Sequence, residues 1–225
     1  VAPIWDGNET WLIIGGAGLF AAFPKAYAII MPAFYLPILI MLAALIFRGV
    51  AFEFRHKAAT KPIRMFWNGA FVAGSLMAAI SQGLMLGGLV QGIEVVDGVF
   101  AGGAFDWLSP FSLLVAAAVP IGYVLLGSCW LILKTEGALH ERARVWARTA
   151  LIFVSIAFAA VSLSMLSVDP NVTDRWGFSM TSVNFSQLMP LLPIPLAGAA
   201  LCLFLFRDLS KSADEGRRPD WRPYL

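Results

Sequence analysis

The sequence predicts an all-α polytopic membrane protein, a bundle of about six transmembrane helices in a single domain over residues 1–225. Of the 225 residues 59% are hydrophobic and 13% charged, and mean hydropathy is +0.77. A soluble domain carries about 25% charge, so this chain could not cover itself with polar groups in water. All 16 Lys and Arg and all 14 Asp and Glu fall in or beside gaps between long apolar stretches, the charge distribution of a chain that repeatedly crosses hydrocarbon. The net charge of +2 and pI near 8.7 are too mild and too scattered for a nucleic-acid partner.

Backbone N–H and C=O groups must pair within hydrocarbon, so each apolar stretch is expected to close its own hydrogen bonds as a helix. The stretches cover 8–23, 27–47, 67–90, 111–133, 146–166 and 188–206. The first has only thirteen unbroken apolar or glycine residues, Trp11 to Phe23, and needs a helix starting near Asp6 to cross. Pro24 ends it with almost no loop before the second, which predicts a tight antiparallel hairpin. Pro32 and Pro37 should kink the second helix. In the third, Ser75, Ala79, Gly83 and Gly87 recur every fourth residue as a narrow strip where another helix can approach. Gly15, Gly16 and Gly18 thin the first helix similarly. Cys129 and Cys202 sit inside apolar stretches and read as small core hydrophobes. Residues 207–225 read as a polar tail or linker. The chain starts at Val1 without a visible presequence, so an internal piece of a longer protein is expected.

Basic residues orient the helices. Arg48, Arg55, Lys57, Lys61 and Arg64 follow the second, Lys134, Arg142, Arg144 and Arg148 follow the fourth, and Arg207, Lys211, Arg217, Arg218 and Arg222 follow the sixth. The opposite side has only Lys25 and Arg175, and its loop from Gln91 to Ser109 has Glu94, Asp97 and Asp106 without a base. Fourteen bases against two place both the start of the chain and its tail in the cytoplasm.

The apolar stretches lack haem and metal ligands in useful places. His56 and His140 both lie in basic segments, and the eight methionines are scattered, so no redox centre is expected on this chain's own side chains. Walker, dinucleotide, zinc and nucleophile-elbow patterns are absent. A secondary transporter would ordinarily carry ionisable groups near mid-membrane, where only Asn68, Gln82 and serines occur. What remains is Trp5-Asp6-Gly7-Asn8-Glu9-Thr10-Trp11, opening the first helix. Asp6 and Glu9 have capping-box spacing between interface tryptophans, and two carboxylates at a membrane edge can equally collect protons and pass them inward. On residue chemistry alone both readings stand. Arg48, Glu53 and Arg55 form a second ionic group, expected at the end of the second helix as interfacial anchors.

The stretch WDGNETWLIIGGAGLFAAFPKAYA with FYLPILIMLAALIFRGVAFEFRHK resembles the signature region of subunit II of the cytochrome bd-type quinol oxidases, including the cyanide-insensitive branch. LVQG at Leu89 to Gly92, LSPFSLL at Leu108 to Leu114, EGALHERAR at Glu136 to Arg144 and DPNVTDRW at Asp169 to Trp176 follow in the family's order. Gly49 and Ala51 depart from it, standing where the family typically has proline and glycine. The resemblance implies a heterodimer in the bacterial inner membrane, with a subunit I that holds haems b and d and oxidises quinol. It implies a haem-free subunit II, room for a small accessory subunit, and protons for oxygen reduction drawn from the cytoplasm. Asp6 matches the family aspartate assigned to a proton path, with Glu9 accessory and Trp5 and Asn8 positioning. Family members carry a helix before the tryptophan motif and about two more after the tail. A purely structural scaffold and a secondary transporter are the competing readings.

Overall fold

The computed structural model describes residues 2–168, 189 and 193–210. Seven helices and one small hairpin occur among them: α1 (Ala2–Ala22), α2 (Pro24–Ala33), α3 (Tyr35–Lys57), α4 (Lys61–Gln91), β1 (Val95–Val96), β2 (Val99–Phe100), α5 (Pro110–Lys134), α6 (Ala138–Val168) and α7 (Pro193–Ser210). Tyr35–Lys57, Lys61–Gln91, Pro110–Lys134 and Ala138–Met165 are each long and apolar enough to cross a membrane. The chain is therefore an all-α membrane protein. It packs as two compact units, Val1–Ser109 and Pro110–Leu225.

In the first unit the helices start and stop away from several expected boundaries. α1 begins at Ala2, with Pro3 in its first turn where a missing N–H costs nothing. Its 21 residues rise about 32 Å, near the hydrocarbon thickness. The helix therefore does not start near Asp6, and its length comes from an additional N-terminal turn. The expected single helix over 27–47 is instead broken at Phe34. Pro37 has no N–H for the carbonyl of Ala33 and its ring crowds that carbonyl, so the helix stops one residue later and restarts as α3. The crossing segment is thereby shifted to Tyr35–Lys57, ten residues past Phe47. The first two helices expected from the sequence do not pack as closely as the pair that follows them. Phe20 and Tyr27 meet edge to face at 5.1 Å, and α1 packs far less on α2 than α3 does on α4.

α3 and α4 are the tight antiparallel pair, joined through Ala58 to Thr60, with Pro62 in the first turn of α4. Met41 and Ala44 bury against Ala78, flanked by Leu45 and Met85. A Cβ built on Gly74 would stand 2.8 Å from the Ala44 carbonyl oxygen and 3.2 Å from the Arg48 backbone nitrogen, so the helices touch backbone to backbone there. The contact strip is Ala70, Gly74 and Ala78, one residue round from the strip marked in the sequence; Ala79, Gly83 and Gly87 are buried as well.

The loop after α4 contains structure that the helical reading omitted. Val95 pairs with Phe100 and Val96 with Val99 around Asp97 and Gly98, both at positive φ, 50° and 78°. An Asp-Gly pair between β-formers is a strong signal for a two-residue hairpin turn. The loop is closed at its neck, where the Ser109 hydroxyl donates to the Gln91 side-chain carbonyl. It is pinned from below by Trp107, 8% exposed. The Trp107 Nε1–H donates to the Ala104 carbonyl at 2.8 Å, and its Cβ would lie 3.3 Å from a Cβ on Gly88, beside the Phe34 ring.

In the second unit α5 matches the expected stretch closely, while α6 begins at Ala138 rather than Trp146 and α7 reaches Ser210, so the expected tail starts as helix. Residues 211–225, the DPNVTDRW stretch and most of the lead-in to the sixth span lie outside the described residues. Cys129 and Ile132 of α5, Ala143, Ala147 and Leu151 of α6, and Leu209 of α7 form one buried cluster, with Cys202 packed against it as an apolar group. Arg148 stacks over the Phe206 ring at 5.1 Å.

Gly137, at φ 67°, makes the sharp turn between α5 and α6. His140 then folds back, with Nδ1 3.1 Å from both the Ile132 and the Thr135 carbonyl oxygens. Carbonyls only accept, so Nδ1 carries the hydrogen and His140 staples the end of α5. His140→Asn, whose amide nitrogen can occupy the Nδ1 position, should keep this staple. His140→Gln and His140→Ala should each lose about 1 kcal/mol. Thermal unfolding of the full-length chain in detergent checks this, and equal losses for Asn and Ala would contradict the assigned donor.

Candidate functional site

Trp5, Asp6, Asn8 and Glu9 all lie within α1, in its first two to three turns; their side chains are outside the described residues. With α1 starting at Ala2, Asp6 is past the first helical turn, where a residue's own N–H is already paired to the preceding turn. An N-cap must precede the helix, so Asp6 does not occupy a capping-box position. Asp6 and Glu9, three residues apart, lie on neighbouring faces of one end of α1. Past them, α1 is apolar from Trp11 to Ala22 except for glycines, and Trp11 and Ile13 are 71% and 70% exposed.

The second ionic group is not assembled as one cluster. Arg48 lies nine residues before the end of α3, about 13 Å inside it, half-buried beside Gly74 of α4. Arg55, seven residues on, repeats that face, whereas Glu53 is turned about 140° from Arg48. Glu53 pairs with Lys57 at 3.4 Å across one turn, with both side chains well exposed. The sequence reading missed Lys57 as the partner, although an acid four residues before a lysine on a helix is the favoured arrangement. Around this end, Phe52 meets His56 at 5.6 Å and Phe71 at 6.4 Å, while Phe54 meets Trp67 at 5.4 Å. His56 is thus an aromatic partner on α3, and His140 is the staple described above. Among the described residues no three His, Cys, Asp or Glu side chains converge as metal ligands would.

These features define a polytopic α-helical membrane protein whose first helix opens on two carboxylates between tryptophans. Residues 1–220 match the family profile of cytochrome bd terminal oxidase subunit II, and the chain belongs to that family. It is 36% identical over 165 residues to cytochrome bd-I ubiquinol oxidase subunit 2 of Escherichia coli K12, covering 71% of this chain and 43% of the relative. It is 35% identical over 166 residues to cytochrome bd ubiquinol oxidase subunit 2 of Bacillus subtilis 168, covering 72% and 49%. A Haemophilus influenzae protein named probable cytochrome oxidase subunit 2 is 35% identical over 174 residues, covering 75% and 46%. The chain thus spans about half the length of these relatives.

Proposed function

We propose that this chain is the haem-free part of a quinol:oxygen oxidoreductase, acting as subunit II beside a subunit I that carries haems b and d and oxidises quinol. Family membership over residues 1–220 carries this reading. The chain's role is to stabilise the haem-bearing partner in the bacterial inner membrane and to supply a proton path opening at Asp6, with Glu9 accessory and Trp5 and Asn8 as positioning residues. A carboxylate at the entrance of a membrane helix can alternate between charged and neutral forms as protons arrive. Asp6 lies inside α1, ahead of the apolar run from Trp11 to Ala22. The proposed membrane domain has six crossings within 1–225, with α1 and α7 joining the four long apolar helices, and a small accessory subunit can attach to it.

An optical spectrum of the complex that copurifies with the full-length chain tests the assignment. Haem b and d bands should appear in the complex, and the chain expressed without its partner should be colourless. A stoichiometric haem band in the isolated subunit that disappears with His56→Ala or His140→Ala would overturn the haem-free assignment. Copurification without any redox centre would favour the scaffold or transporter readings.

The orientation implies that the hairpin loop is extracytoplasmic and the α5–α6 turn cytoplasmic, since the turn region from Lys134 to Arg148 carries four bases and the loop none. Glu94→Cys should react with an impermeant thiol reagent in intact, outer-membrane-permeabilised cells, in a background with Cys129 and Cys202 replaced. Reaction only after lysis would reverse the topology and remove the proton-uptake argument with it.

A further inference from the structure

We propose that the turn between α3 and α4 is a docking site for the headgroup of an anionic phospholipid. Arg55, Lys61 and Arg64 stand within ten residues of one another at this turn, and all are exposed. The nearest acid in sequence, Glu53, is taken by Lys57 on the opposite face of α3. Among the described residues no carboxylate lies within ion-pair distance of Arg55, Lys61 or Arg64. Three exposed cations gathered at one turn without an acid of their own would be stabilised by an anion from outside the chain.

The neighbouring surface identifies the kind of anion. Phe54, Met65 and Phe66 are 50%, 72% and 62% exposed, and the Trp67 ring packs between Phe54 at 5.4 Å and Phe66 at 5.2 Å. Lys61 stands six residues before Trp67, while Arg55 and Arg64 adjoin the exposed Phe54, Met65 and Phe66, so the turn offers positive charge beside an apolar aromatic surface, the pairing that a phospholipid matches with phosphate and chain. A free phosphate would use only the charge, and an acidic protein segment would leave the rings exposed. The cytoplasmic leaflet follows from the orientation proposed above; the lipid class does not depend on it.

The test uses the assembled complex containing the full-length chain, in phosphatidylcholine nanodiscs doped with phosphatidylglycerol or phosphatidylcholine bearing the same photoreactive acyl chain. Crosslinks to the segment 54–67 should favour phosphatidylglycerol by about tenfold and weaken as salt is raised. Lys61→Gln with Arg64→Gln should remove most of that preference, while Lys134→Gln with Arg144→Gln should leave it unchanged. The preference and its salt dependence are read on unaltered protein, so they decide the matter even if the double variant does not assemble. Equal labelling by the two lipids would overturn the proposal. So would protection of the segment from both lipids, which would mean a protein surface covers the turn.

Discussion

Asp6→Asn in the full-length chain, assembled with the proposed haem-bearing subunit I, is expected to slow oxygen reduction by about tenfold or more, a change of at least ~1.4 kcal/mol in the limiting barrier. Assembly and haem content should stay close to those of the unaltered complex. Asparagine retains the shape of aspartate and accepts hydrogen bonds, but it cannot take up and release a proton. Since α1 begins at Ala2, Asp6 is not the residue that caps it, and Asp6→Ala should lack the ~1 kcal/mol stability loss typical of a missing cap. The two variants should therefore behave alike in assembly and be similarly slow in turnover. Quinol-driven oxygen consumption normalised to haem, with proton uptake followed by a pH indicator, measures both. Full turnover and proton uptake in Asp6→Asn would reject the proton path and leave the scaffold reading in possession of the site.

Gly74→Val should be strongly destabilising to the first unit. Its Cβ would enter a gap of 2.8 Å to the Ala44 carbonyl and 3.2 Å to both the backbone nitrogen and Cβ of Arg48. None of these atoms can rotate aside, so α3 and α4 must separate. Gly74→Ala should cost about 1–3 kcal/mol as an overpacked core does, and valine more. Gly69, five residues earlier on α4, has nothing within 4 Å of a built Cβ. Gly69→Ala should be neutral or gain up to about 1 kcal/mol from helix propensity. Thermal unfolding of the three variants in detergent orders them, and a Gly74→Ala protein as stable as Gly69→Ala would contradict the close crossing of α3 and α4.

The agreement between sequence and structure is closest where one force decides an element. α5 starts one residue before the expected 111–133 and ends one after it, because its polar flanks coincide with the ends of the helix. α4 and α6 run to 31 residues each, well past their apolar stretches. Hydropathy marks how much of a helix lies in hydrocarbon, whereas the hydrogen-bond ladder continues through charged residues that are themselves good helix formers. The first two turns of these helices, carrying Lys61 and Arg64 in one and His140 and Arg144 in the other, lie outside the apolar stretches for that reason. The Asp97-Gly98 hairpin was legible in Val-Val-Asp-Gly-Val-Phe, but a search for long apolar periods passes over strands of two residues. The proline signal at Pro32 and Pro37 was sound about a distortion; its position at Phe34, and the consequent shift of the span onto Arg48, required the restart of α3 to be seen.

By itself the sequence determined the membrane environment, the helical class, the bias of basic residues and the order of the family motifs, all of which are properties of residue type and spacing along one dimension. Only the tertiary structure decided which side of α4 meets α3, that Gln91 and Ser109 close the hairpin loop, and that His140 staples α5. Each of these depends on helix phase, and every residue turns the surface by about 100°. Choosing the strip of Gly74 over that of Ser75 therefore needs a partner's backbone at a fixed distance, which only the packed helices provide.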